Sequence, residues 1–106
     1  MKKKNKTTDP FAVEQLINKD FEYIHFKVEV HGLKTDQWGC YNKRSNALLA
    51  MVKWSGPWRQ YCFFPLADTV FSQSCLEDIS NFLRQLNFQH RMKRKRIKRV
   101  RQIAKL

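Results

Sequence analysis

Between Phe21 and Val30 the chain alternates, with Ile24, Phe26, Val28 and Val30 on one side and Tyr23, His25, Lys27 and Glu29 on the other. A period of two is that of a β-strand with one face covered. His31-Gly32 ends the run, and Leu33 to Asp36 supplies a loop. Gln37 to Asn42 predicts a second, short strand that turns Trp38, Cys40 or Tyr41 inward. Lys43 to Asn46 is turn-like, and Ala47 to Trp54 is an apolar strand with Met51 and Val52 in its middle. Ser55-Gly56-Pro57 breaks it, and Trp58 to Phe64 returns as a further strand stopped by Pro65. Connections this short cannot cross over to make parallel pairs, so the run predicts an antiparallel meander of three or four strands.

Helical periods flank the sheet. Asp9-Pro10 is a helix opening, with Asp as N-cap and Pro at the first helical position, and Ala12, Val13, Leu16 and Ile17 share a face up to about Asn18. Further on, Ser74-Cys75-Leu76-Glu77 fits a capping box. Cys75, Leu76, Ile79, Phe82, Leu83 and Leu86 then fall within an arc of ~120°, with polar residues filling the rest of the wheel. The expected fold is α+β: a short N-terminal helix, the meander, and a C-terminal amphipathic helix packed on one face of the sheet. Eight Phe, three Trp and three Tyr supply core volume for so small a chain.

Past Asn87 the pattern changes, and charge becomes the informative property. The chain carries a net charge of +12, all of it in the two ends. Lys2, Lys3, Lys4 and Lys6 crowd the start, and residues 91–106 hold Arg91, Lys93, Arg94, Lys95, Arg96, Lys98, Arg99, Arg101 and Lys105 with no acid. The stretch from Thr7 to His90 is close to neutral. This divides the chain into a basic arm (1–8), one small α+β domain (9–88) and a basic, helix-prone tail (89–106). Met92, Ile97, Val100, Ile103, Ala104 and Leu106 occupy a loose half-circle of the tail, so it can extend the second helix. Like charges meet at i,i+4, as in Arg91/Lys95 and Arg94/Lys98, which costs ~0.2–0.5 kcal/mol per pair until an anion relieves it. Such a segment is suited to phosphates, and nucleic acid is the partner it predicts, with contacts from the nine basic residues of 91–106 and little sequence preference.

Other chemistry has weaker support. Trp54 and Trp58 flank the Ser-Gly-Pro turn with Arg59 beside them, a candidate stacking platform or partner contact, or else a lid on the end of the core. Cys40, Cys62 and Cys75 are odd in number and widely spaced, and with His25, His31 and His90 they form no metal-ligand spacing. Cys62 and Cys75 read as small core residues. The carboxylates are scattered and no glycine-rich loop is present, so neither an enzyme nor a cofactor is expected. Lysines follow Met1 but no apolar run does, which predicts a protein that is not secreted, in a cytoplasm or, for a viral protein, a host cytoplasm or nucleus. No apolar run is long enough for a transmembrane segment. An acidic protein partner is the alternative to nucleic acid, with the Trp54–Trp58 hairpin or a sheet edge as contact and the tail for steering. An uncovered sheet face or edge also leaves room for a homodimer.

The stretch Trp58-Arg-Gln-Tyr-Cys-Phe-Phe-Pro65, then Asp68-Thr-Val-Phe-Ser72, then Cys75-Leu-Glu-Asp-Ile-Ser-Asn-Phe-Leu-Arg-Gln-Leu-Asn87 resembles small uncharacterised proteins of phages and mobile elements. In these a WRQYxF strand runs through a TVFS turn into a CLxDIxxFLxxLN helix. The resemblance implies an accessory protein of that kind and no particular activity.

Overall fold

A computed structural model of the chain describes residues 17–104. Four strands, β1 (Ile24–Val30), β2 (Gln37–Asn42), β3 (Leu48–Ser55) and β4 (Gln60–Pro65), are followed by one helix, α1 (Gln73–Ala104). The sheet order is β1-β2-β3-β4 with every neighbouring pair antiparallel, so the α+β class and the meander are as the sequence pattern predicts. The basic arm and the N-terminal helix expected from Asp9-Pro10 fall on residues 1–16, outside the described ones; Ile17 and Asn18 are not helical.

Strand register sorts the residues onto two faces. Phe26 pairs with Cys40 and Cys40 with Ala50; Val28 pairs with Trp38, Trp38 with Val52 and Val52 with Phe63. These side chains share the face on which Ile79, Phe82 and Leu86 of α1 close the core. Trp38 and Cys40 are therefore the inward pair of β2, and Tyr41 points to the other face. Cys62 is not a core residue: it stands opposite Lys53 on that other face, because Tyr61 and Phe63 take the inward slots of β4. Two register shifts bend the sheet, one between Val28 and Val30 and one between Cys40 and Tyr41. The first takes Val30 out of the alternation, so it stays exposed rather than entering the core.

Connections follow side-chain chemistry. Asn42 Oδ1 accepts from the backbone N–H groups of Arg44 and Ser45, closing the turn between β2 and β3. Ser55 holds the next turn, its carbonyl accepting from Arg59 N–H at 2.7 Å and its hydroxyl from Trp58 N–H at 3.3 Å. Trp58 and Arg59 thus belong to the turn and not to the strand. β4 runs on through Pro65, which is tolerated on an edge strand. The helix starts two residues earlier than the capping box implied. Ser72 is the N-cap, its hydroxyl accepting from Cys75 N–H at 3.2 Å, while Glu77 meets Gln73 instead. Leu76, expected on the buried stripe, is half exposed, because the sheet covers the line of Ile79, Phe82 and Leu86 and Leu76 lies at the margin of that arc.

Two amides tie α1 down. Asn87 Oδ1 accepts from Tyr61 N–H at 2.7 Å and its Nδ2 donates to Tyr61 C=O at 3.5 Å, occupying the backbone of the edge strand β4. Gln85 does the same for Asn18, accepting from its N–H at 2.7 Å and donating to its C=O at 3.3 Å. Replacing Asn87 by Ala would leave a part-buried N–H without its acceptor, a loss of about 1–3 kcal/mol measurable by urea denaturation.

Candidate nucleic-acid interface

At 32 residues α1 is about 48 Å long. Its first half lies on the sheet, and its second half continues without a break past His90, where the apolar stripe gives way to cations. Arg91, Lys93, Arg94, Lys95, Lys98, Arg99 and Arg101 are exposed and Arg96 is half-buried; Lys105 lies outside the described residues. One continuous helix therefore carries eight of the nine sequence-predicted basic residues over about 16 Å of rise.

The two tryptophans of the β3–β4 hairpin part company. Trp58 stands in solvent at the tip with 73% of its surface exposed. Trp54 turns to the helix side, edge-on to Tyr61 at 5.6 Å and against the His90 ring at 4.3 Å. Trp54 thus packs against the end of the core, the structural reading of this hairpin, and Trp58 does not. Arg59, at the tip beside Trp58, has a left-handed φ of 56°, set by the hydrogen bond that closes the turn.

Trp54 and His90 form part of a groove of about 630 Å³ between the β1–β2 loop and α1. Leu33 and Ile97 supply apolar wall, and Lys34, Lys93 and Arg94 supply positive charge. Ile97 extends the stripe of Leu86, His90 and Lys93, so the spacing that built the core continues into the groove. The same loop also borders a cavity of about 430 Å³ lined in part by Lys19, Lys34, Lys93, Trp38 and Gln89. There the indole N–H of Trp38 and the side-chain amide nitrogen of Gln89 are buried with no hydrogen-bond partner. Asp36, which also lines it, is engaged with Gly32 N–H and His31.

Partial burial, then the neighbouring Arg94 and Lys93, hold the His90 pKa below the usual 6.5. The folded state binds this proton less readily than the unfolded chain, so His90 works against the fold as pH falls from the unfolded value toward the folded one. His90→Gln should therefore lessen the drop in melting temperature between pH 7 and pH 5. Bound phosphate should raise the His90 titration followed by NMR. The Cys40 thiol is pushed up to about 12 by burial, with Cys75 adding to it, which leaves no nucleophile there at neutral pH.

Sequence reasoning named the cations and Trp54 but missed Leu33, Lys34 and His90. The continued spacing Leu86, His90, Lys93, Ile97 was the available signal for His90; nothing in the polar loop distinguished Lys34. No helix among the described residues is long and apolar enough to cross a membrane.

These features define a small α+β protein whose terminal helix leaves its sheet as a basic rod. The chain belongs to the same family as an "Uncharacterized 9.3 kDa protein" of Acholeplasma phage L2, to which it is 36% identical over 69 residues, 64% of this chain and 88% of the phage protein. It is thus a phage-related small protein. No family model matches the chain, and no solved structure matches it.

Proposed function

We propose that this is a non-enzymatic accessory protein that binds nucleic acid through the basic half of α1, with little sequence preference. The observation that carries the reading is the groove in which Trp54 lies beside Lys34, Lys93 and Arg94. An aromatic surface rimmed by cations suits a base and its flanking phosphates together, whereas a solubilising tail needs no groove. The donors nearby point the same way, since cations and N–H groups favour an acceptor-rich ligand. The Trp58–Asn87 segment is then scaffold, holding the hairpin and α1 in place, and the contact is made by Lys34 and Trp54 before it and the basic residues after it.

Titration of the full chain with labelled oligonucleotides at 50 mM salt tests this. Binding should quench indole fluorescence, and Trp54→Phe should lose most of that quench while Trp58→Phe keeps it. Absence of binding overturns the proposal.

The exposed ring of Trp58 favours a second reading, an acidic protein partner held at the hairpin tip. Under it, Trp58→Ala would speed dissociation of that partner, and charge reversal in α1 would mainly slow association.

A further inference from the structure

The face of the sheet turned away from α1 has no helix or strand packed on it among the described residues. Lys27, Gly39, Met51 and Phe64 form one row across all four strands, and His25 and Tyr41 stand together in the next. The Tyr41 ring stacks on His25 at 5.5 Å, and its hydroxyl is hydrogen-bonded to the Glu29 carboxylate. Gly39 gives them room, since a Cβ there would sit 2.8 Å from the Tyr41 ring and 2.9 Å from Glu29 Oε2. Two rings on this face carry an ammonium: Lys27 Nζ is 4.5 Å from the centre of Tyr41, and Lys53 Nζ is 4.9 Å from that of Phe64.

We propose that this face is a second binding surface, a stacking platform on which Tyr41 and Phe64 each take a base of single-stranded nucleic acid. Lys27 and Lys53 turn from the rings to the adjacent phosphates. Magnitudes favour the exchange: an exposed cation–π contact is worth about two- to five-fold in an equilibrium, and a stacked base about five- to 150-fold. The lysines lose little and gain a phosphate. Spacing selects the strand type. Two strand separations across and one two-residue step along place the rings roughly 12 Å apart, far beyond the 3.4 Å rise of stacked duplex bases. Splayed bases of an unpaired strand can reach both rings; bases inside a duplex cannot. A second copy of the chain fits less well, because a two-fold contact would press one face bearing Lys27 and Lys53 onto another bearing the same two ammonium groups.

The inference rests on nucleic acid being the ligand class, but it uses residues on the face opposite α1, so the two can fail separately. Fluorescence anisotropy would compare a single strand and a duplex of equal length with the wild type and Tyr41→Leu/Phe64→Leu. The double variant should lose at least 10-fold in single-strand affinity, with duplex affinity and the salt dependence of duplex binding unchanged. The pair Tyr41→Phe/Phe64→Tyr keeps both rings and should bind as wild type, which separates lost stacking from lost folding. Unchanged single-strand binding in the Leu variant, where Arg94→Gln/Lys98→Gln/Arg101→Gln weakens it, overturns the platform and leaves the helix reading standing. Binding of neither ligand by the wild type overturns both. A wild-type dimer in sedimentation that the Leu variant dissociates also overturns the platform.

Discussion

Phe82→Ala is expected to cost about 3–5 kcal/mol of folding free energy. The side chain is fully buried, stacks on Phe26 with ring centres 3.9 Å apart and planes 8° apart, and meets Trp38 edge-on at 5.1 Å. Those partners come from β1 and β2, so truncation opens a cavity where the helix is seated on two strands at once. Surrounding rings are too stiff to refill it. Small domains have about 5–15 kcal/mol in total, so this one contact is a large share of the margin. Urea denaturation followed by circular dichroism should show a much lower midpoint at similar slope, or no folded baseline. Phe88 on the same helix is half exposed, and Phe88→Ala should stay within about 0.5 kcal/mol. Similar losses in the two variants would mean that α1 is not seated as described.

Neutralising Arg94, Lys98 and Arg101 to Gln is expected to lower nucleic-acid affinity about 100- to 500-fold at 0.1 M salt. Each phosphate contact contributes about 0.7–0.9 to the slope of log affinity against log salt. Three lost contacts should therefore flatten the slope by roughly 2–3, and that change is more diagnostic than the affinity itself. Folding is not the confounder. Gln is a good helix former, and removing the Arg94/Lys98 repulsion at i,i+4 returns a few tenths of a kcal/mol, about 0.2–0.5. Titrations between 50 and 300 mM salt measure both quantities. An unchanged slope would place the phosphate contacts somewhere other than on this face of α1.

Much of the scaffold was legible in local pattern. The alternation of Ile24 and Phe26, with Val28 partly buried, and the stripe of Ile79, Phe82 and Leu86 face the core, because a strand or helix half covered by its partner must show its own period. Failures came where a local rule had a nearby competitor. Ser72 and Ser74 can both cap a helix, and the sequence pattern favoured Ser74 because Glu77 completes its box; the helix instead starts at Gln73, with the Ser72 hydroxyl on Cys75 N–H. Val30 fitted the alternation, but a register shift after Val28 removed it. Cys62 looked like core by composition, and pairing with Lys53 turned it outward. The cations of the candidate site were plain in the sequence, since charge needs no neighbours to be read. Their association with Trp54 and not Trp58 was not plain, although the two indoles are equally close to the turn.

By itself the sequence determined the class of fold, the antiparallel order of its strands and the concentration of positive charge beyond Asn87, because each depends on periodicity, connection length or a count of residues. Only the tertiary structure decided that the charged segment continues as one helix from the core, which indole it meets, and that Tyr41 and Phe64 share the face turned away from α1. Those relations depend on strand register and on where α1 lies across the sheet. Both are set by packing among residues as far apart in sequence as Phe26, Trp38 and Phe82.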